Sequence, residues 1–130
     1  MNSIHKPGWN FFYNLYNAFV SKKYPVSITH FVTSRCNAKC AHCFINSDNS
    51  MNELTVDETD KISSSVGKCL RNIGLTGGEP FLREDLFEIA SVWYKNTPIK
   101  SIVVPTNGSM PNLIEQFALQ ASKKNIPVAF

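Results

Sequence analysis

Three cysteines, Cys36, Cys40 and Cys43, lie close together in a C-x3-C-x2-C spacing. Thiolates are the usual ligands of iron–sulfur clusters and are common ligands of zinc. Structural zinc sites close their shell with four protein ligands, and cubane clusters are normally held by four thiolates. A loop that offers three thiolates leaves one coordination position open. The spacing therefore indicates an iron–sulfur cluster with one iron free to bind another ligand.

Two other kinds of site use the same residue types. A zinc centre needs a fourth ligand, for which His30, on the strand before the loop, is a better candidate than His42, which adjoins Cys43. The segment Cys40–Cys43 resembles the C-x-x-C loop of thiol redox proteins, but a two-thiol mechanism leaves Cys36 without a role. A Cys3His zinc module stays open as the alternative, although the apolar face of its strand also favours an interior histidine at position 30.

Two further turns carry polar groups that could face a ligand. The glycines of Gly77–Pro80 allow backbone angles that other residues avoid and permit close approach, and Glu79 can accept a hydrogen bond from an ammonium group. Thr106 and Asn107 precede Gly108 in an Asn-Gly turn. Each turn alone is a common structural feature, so its functional meaning depends on its place in the fold.

The hydrophobic pattern predicts helices and strands in alternation. A short amphipathic helix is expected over residues 10–20, a strand begins at Val26, and Thr55 with Glu58 forms a capping box for the next helix. Later strands are expected over residues 72–76, 99–106 and 126–130. The predicted buried faces of the three helices are Ile62, Val66 and Leu70; Leu86, Ile89, Ala90 and Trp93; and Leu113, Phe117 and Ala121.

Strand followed by helix, three times over, favours a parallel α/β sheet. The cysteine loop follows the first strand, Gly77–Pro80 follows the second, and Thr106-Asn107 follows the third. All three segments therefore belong to the carboxyl edge of one sheet. That edge is where β/α barrels and open α/β sheets bind their ligands.

The cysteine spacing together with Gly77-Gly78-Glu79-Pro80 resembles the radical S-adenosylmethionine superfamily, from Val26 to the end of the chain. The resemblance implies an α/β fold that is a partial (β/α) TIM-type barrel, here about three β/α units and a fourth strand. It also implies an enzyme in which Cys36, Cys40 and Cys43 hold a [4Fe–4S] cluster. In that family the open iron chelates S-adenosylmethionine, and reductive cleavage gives methionine and a 5′-deoxyadenosyl radical that abstracts hydrogen from a substrate.

The same resemblance implies roles for residues around the cluster. His42 would contact the adenine, and Gly77, Gly78 and Glu79 would bind the methionine amino group. Thr106 and Asn107 would face the cofactor or the substrate. Flavodoxin or ferredoxin is the expected kind of electron donor.

One sequence difference from part of that family bears on the identity of the substrate. Relatives that cyclise GTP carry an arginine about three residues before the first motif glycine, whereas this chain has Ile73-Gly74-Leu75 there. The absence of a basic residue argues against GTP, and the general pattern is closer to relatives that modify peptides or proteins. A peptide or protein is therefore the expected substrate class.

Composition and length set the remaining expectations. The net charge of +3 and the scattered basic residues argue against nucleic acid as a partner. The aromatic stretch 9–20 is too short and polar for a membrane span, and clustered cysteines without a secretory segment favour the cytoplasm. We divide the chain into a helical extension, 1–24, and a truncated core domain, 25–130. It is expected to be the N-terminal part of a longer enzyme or an inactive truncated gene product.

Overall fold

A computed structural model describes residues 24–45, 52–66 and 68–130. The helix predicted over residues 10–20 lies outside these residues. The described elements are β1 (Ser27–Thr33), α1 (Val56–Ser65), β2 (Asn72–Gly77), a 3-10 turn (Pro80–Leu82), α2 (Leu86–Asn96), β3 (Ser101–Val103), α3 (Pro111–Lys123) and β4 (Val128–Ala129). None of the helices in these ranges is long and apolar enough to cross a membrane.

The four strands form one parallel sheet in the order β1-β2-β3-β4. The apolar residues of one sheet face pack on α2 and α3 in a single core. The opposite face is more exposed, as shown by Phe31 (43 % exposed) and Val103 (39 %). The predicted α/β architecture is confirmed, and a parallel sheet with its helices on one face is the arrangement of a partial β/α barrel.

The buried faces of two helices were predicted well. Leu86, Ile89, Ala90 and Trp93 are all buried in α2, as are Phe117 and Ala121 in α3, although Leu113 is 44 % exposed. The third and fourth strands are shorter than expected, since only Ser101–Val103 and Val128–Ala129 make sheet pairs.

The apolar face predicted for α1 is only partly right: Leu70 is in the core and Val66 packs against it, but both lie beyond the end of the helix, and Ile62 is exposed. The capping box of Thr55 and Glu58 is present, but the helix ends at Ser65, so Leu70 is buried beyond its end. The residues that α1 buries are Thr59 and Ser63. The contact with α2 includes hydrogen bonds, since the Asn96 side chain donates to Ser63 Oγ at 2.8 Å and to Asp60 Oδ1 at 3.0 Å.

A buried guanidinium joins β1 to the segment that leads into α1. The Arg83 side chain is 5 % exposed and donates through Nη1 to the Val32 carbonyl at 2.6 Å and through Nη2 to the Leu54 carbonyl. Its Nε donates to Asp85 Oδ1 at 2.6 Å. Glu53, 4.0 Å from Arg83 Nη1, accepts from Thr33 Oγ1 at 2.5 Å. These contacts fix the end of β1 just before the cysteine loop.

The pKa values of both carboxyl groups in this cluster are lowered. Burial alone would raise the pKa of Glu53, but hydrogen bonds from Thr33 and Arg35 and the charges of Arg35 and Arg83 outweigh it. The hydrogen bond from Arg83 is the main cause for Asp85. A carboxyl group with a lowered pKa in the folded state stabilises the fold above its unfolded pKa of about 4, and that contribution is lost as the pH falls through the folded value.

We predict that Glu53→Gln makes acid unfolding less dependent on pH. The free energy of unfolding should fall less steeply between about pH 5 and pH 3, because one carboxyl group with a lowered pKa has been removed. Stability at neutral pH should drop by about 1 kcal/mol, since a neutral amide cannot replace the charged hydrogen bonds. Urea titrations at a series of pH values measure both effects. The control is Glu115→Gln on the exposed side of α3, and an unchanged pH slope in Glu53→Gln would contradict the assignment.

Candidate active site at the carboxyl edge of the sheet

The two glycines after β2 lie against the backbone that leads from β1 into the cysteine loop. The Gly78 N–H donates to the Thr33 carbonyl at 2.9 Å, and the Glu79 N–H donates to the Arg35 carbonyl at 2.8 Å. A Cβ atom at Gly78 would lie 2.1 Å from the Arg35 carbonyl oxygen. Gly77 has φ +143°, and a Cβ there would lie 2.0 Å from the Thr33 carbonyl oxygen. The group that lies close against these glycines is therefore protein backbone, the carbonyl groups of Thr33 and Arg35.

Glu79 is fully buried, and its carboxyl group joins the second loop to the third. Oε1 accepts from the Phe81 N–H at 3.1 Å and from Thr106 Oγ1 at 2.8 Å. Oε2 accepts from the Asn107 N–H at 2.8 Å. Glu79 therefore has three hydrogen-bond partners in its own chain, and Thr106 and Asn107 are both among them.

The third loop in turn holds the cysteine loop. Asn107 Nδ2 donates to Asn37 Oδ1 at 2.8 Å, and Asn37 Nδ2 donates to Ser109 Oγ at 2.8 Å. Asn107 Oδ1 also accepts from the Ser109 N–H at 2.9 Å. Asn37 and Ser109 were not singled out from the sequence. In the sequence, Asn37 is marked only as a polar residue beside a cysteine, and Ser109 only as a serine that follows an Asn-Gly turn.

The three cysteines are free thiols in this loop, with Cys40 and Cys43 exposed and Cys36 partly exposed. The Cys43 N–H donates to the Cys40 carbonyl at 3.1 Å, and Cys36 Sγ accepts from the Ala38 N–H at 3.4 Å. Across the described residues, no three or more His, Cys, Asp or Glu side chains are gathered so that they could hold a metal ion. The donor set of three thiols in one accessible loop nevertheless fits the ligands of an iron–sulfur cluster.

The two histidines near this loop differ in environment. His42 is exposed between Cys40 and Cys43, and its contact with adenine stays a prediction. His30 is 8 % exposed and points toward α2, where its Nδ1 accepts from Trp93 Nε1 at 3.3 Å. It is an interior histidine, and it does not form a metal-ligand group with the cysteines in the part of the chain that the structure describes.

Two aromatic side chains beside the cysteine loop were missed in the sequence. Phe44 is 84 % exposed, and its ring meets that of Phe31 in an edge-to-face contact with centroids 6.4 Å apart. Phe31 belongs to the sheet face opposite the one that packs on α2 and α3. The pair places apolar surface directly after Cys43. The signal for an exposed Phe31 was the alternation of β1, which puts it on the face of Ser27 and Thr29, opposite His30.

We predict that Gly78→Ala lowers the free energy of unfolding by about 2–3 kcal/mol, because the new methyl group meets a backbone carbonyl that cannot rotate away. The matched control is Gly74→Ala in β2, where a Cβ would lie 4.0 Å from the nearest side-chain atoms of Thr29. That change should leave stability within about 1 kcal/mol of the wild type. Chemical denaturation of both variants measures the difference, and equal stabilities would refute the close backbone contact.

Comparison with known proteins agrees with this arrangement. Residues 31–125 match the family model described as the Radical SAM superfamily. The chain is 41 % identical over 90 residues to a "Probable GTP 3′,8-cyclase" of Methanococcus maripaludis, which covers 67 % of this chain and 29 % of that protein. It is 35 % identical over 102 residues to a "GTP 3′,8-cyclase" of Klebsiella pneumoniae, which covers 72 % of this chain and 30 % of that protein.

The chain thus spans about a third or less of the length of the curated relatives that it matches. The matched region contains the end of β1, the cysteine loop, the Gly77–Pro80 turn and the Asn107 loop, which are the segments joined by the hydrogen bonds described above. Because the family model covers well over half of the chain, this protein belongs to the radical S-adenosylmethionine superfamily.

Proposed function

We propose that this chain is a radical S-adenosylmethionine enzyme that holds a [4Fe–4S] cluster through Cys36, Cys40 and Cys43. The observation that carries the proposal is the set of three free thiols in one accessible loop at the carboxyl edge of a parallel sheet. Membership of the superfamily supports it, since proteins of that family generally use such a cluster and S-adenosylmethionine. Three thiolates leave one iron without a protein ligand, which is where the cofactor would bind.

The residues around the loop would orient the cofactor rather than react with it. Cys36, Cys40 and Cys43 would hold the cluster, which when bound and reduced would provide the electron for cleavage of S-adenosylmethionine. His42 would contact the adenine, and the Gly77-Gly78-Glu79 turn would receive the methionine amino group. The buried Glu79 carboxyl group, through Thr106 and Asn107, would keep that turn fixed relative to the cysteine loop. Thr106 and Asn107 would also face the cofactor or the substrate.

We further propose a peptide or protein substrate and an electron donor of the flavodoxin or ferredoxin type. The exposed Phe31 and Phe44 pair offers an apolar surface next to Cys43, which suits an uncharged side chain. We place the enzyme in the cytoplasm, because a reducing compartment keeps its thiols free for metal.

Anaerobic reconstitution with iron and sulfide tests the cluster directly. We expect a brown protein with broad visible absorbance, containing about four irons per chain. Replacing Cys36, Cys40 or Cys43 with alanine should abolish the absorbance, because each change removes a ligand. Iron and sulfide analyses accompany the spectra.

The matched control for these variants is Cys69→Ala, since Cys69 lies outside the loop, just before β2. It should reconstitute as the wild type does. A colourless wild-type protein that binds one zinc ion per chain would favour the Cys3His alternative instead. A folded protein that takes up neither metal would favour an inactive truncated gene product.

Cyclisation of GTP is a second candidate function, because the relatives named above are called GTP 3′,8-cyclases. Triphosphate recognition normally uses arginine or lysine. Gly74 in β2 lies in the stretch where GTP-cyclising relatives are expected to carry an arginine, and its register partner in β1 is Thr29. Neither residue is a cation. Arg35 and Arg83 are paired with carboxyl groups, at 3.1 Å to Glu53 and 2.6 Å to Asp85. Both arginines are thus already engaged by carboxyl groups, which argues against them as triphosphate ligands.

We therefore predict that GTP binds the reconstituted chain no more tightly than ATP does. Isothermal titration of both nucleotides measures this, with S-adenosylmethionine present so that the site is complete. The physical reason is that Arg35 and Arg83, the arginines near the cysteine loop, already pair with the carboxyl groups of Glu53 and Asp85. Selective, stoichiometric binding of GTP would overturn the prediction and support the second candidate.

A further inference from the structure

The first cysteine of the loop, Cys36, has neighbours that are held on both sides. On the side of β1, the Arg35 carbonyl accepts from the Glu79 N–H at 2.8 Å, and Arg35 Nε donates to Glu53 Oε1 at 3.1 Å. On the other side, the Asn37 side chain is hydrogen-bonded to the loop after β3. The backbone that carries Cys36 is therefore fixed relative to two other loops.

The second and third cysteines lie in a part of the loop that is held differently. Cys40 and Cys43 are both exposed, and the Cys43 N–H donates to the Cys40 carbonyl at 3.1 Å, which closes a turn inside the loop. Among the described residues between Cys36 and Cys43, Asn37 is the one whose side chain hydrogen-bonds outside the loop. Asn37 thus connects the segment between the first and second cysteines to the rest of the fold.

Both ends of the Asn37 amide are used, and its partners determine which end faces which. Asn107 Oδ1 accepts from the Ser109 N–H at 2.9 Å, which leaves Asn107 Nδ2 to face Asn37. This nitrogen donates to Asn37 Oδ1 at 2.8 Å, and Asn37 Nδ2 donates to Ser109 Oγ at 2.8 Å. Because an amide has one acceptor oxygen and one donor nitrogen, a single orientation of Asn37 satisfies both partners.

The segment that holds Asn37 is itself fixed to the sheet. The Asn107 N–H donates to Glu79 Oε2 at 2.8 Å, and Glu79 is fully buried. Asn37, Asn107 and Ser109 are exposed, so removing one of their side-chain hydrogen bonds leaves no buried polar group unpaired and costs the fold little. The main effect of the Asn37 contacts is on the orientation of the cysteine loop.

Three thiols can hold one metal centre only when they converge, and ordering a loop for this costs conformational entropy. Across the described residues, no three His, Cys, Asp or Glu side chains are gathered for a metal, so binding requires the loop to rearrange. Each residue that is already held in place lowers the cost of that rearrangement.

We propose that Asn37 is a positioning residue, which holds the start of the cysteine loop against the loop after β3 and so raises the affinity of the three thiols for metal. The inference rests on the proposed function, because it takes Cys36, Cys40 and Cys43 to be metal ligands. It adds a residue that is not itself a ligand.

Titration of the chain with Cd²⁺, without any cluster, tests this role. Cd²⁺ is a soft cation that thiolates bind, and its thiolate complexes absorb in the ultraviolet. Every protein in the series carries Cys69→Ala, so that only the three loop thiols report. Asn37→Ala should weaken Cd²⁺ binding by about threefold to tenfold, because two hydrogen bonds that hold the loop are lost. The matched control is Asn112→Ala, at an exposed position of α3, which should bind Cd²⁺ as the parent does.

A double-mutant cycle separates positioning from a general effect on the fold. Ser109→Ala removes one partner of Asn37 and should weaken Cd²⁺ binding by about twofold to threefold. Because Ser109 acts through Asn37, adding Ser109→Ala to Asn37→Ala should weaken binding no further. Urea denaturation should give midpoints close to that of the parent for all three variants.

The outcomes distinguish this inference from the proposed function. A parent that takes up no Cd²⁺ would overturn both, since the thiols would not be metal ligands. Equal affinity in the parent and in Asn37→Ala refutes the positioning role alone, as do effects of Asn37→Ala and Ser109→Ala that multiply in the double variant. If Asn37→Ala fails to fold, unchanged binding in Ser109→Ala refutes the role in its place.

Discussion

The Glu79 carboxyl group holds together the loops from which the candidate active site is built. It has no exposure to solvent, and it accepts hydrogen bonds from the backbone of its own turn and from the loop after β3. That second loop reaches the cysteine loop through Asn107 and Asn37. Because a buried carboxyl group is costly unless its hydrogen bonds are made, the three loops depend on one another for their conformation.

Much of this arrangement could be predicted from residue patterns. The alternation of strand and helix indicated a parallel sheet, and the place of each motif after its strand indicated that the motifs share one edge. The capping box at Thr55 and the buried face of α2 were also evident, because they depend on local spacing alone. The contact between Glu79 and Asn107 joins residues far apart in the chain, so no local pattern could reveal it.

The predictions that were wrong or incomplete concern contacts with distant parts of the chain, which local sequence patterns do not show. In α1 an apolar stripe at helical spacing suggested the buried face, but the helix ends at Ser65, and the residues that it buries are Thr59 and Ser63, the second of which accepts a hydrogen bond from Asn96 of α2. At Gly77 and Gly78 the sequence indicated that something approaches closely without showing that protein backbone does so. The roles of Cys36, Cys40, Cys43 and His42 stay predictions, since they concern groups that are not part of the polypeptide.

The close contact between the Gly77-Gly78 backbone and residues 33–35 restricts how this enzyme family can vary its loops. The stretch from Thr33 to Arg35 is fixed in length, because both of its outer carbonyl groups accept hydrogen bonds from the glycine turn. An insertion there would separate β1 from β2. Beyond Cys36 the side chains at 39–44 are mostly exposed. The spacing between β1 and the first cysteine should therefore hardly change among relatives, and sequence diversity should concentrate at exposed positions between the cysteines such as Lys39 and Ala41.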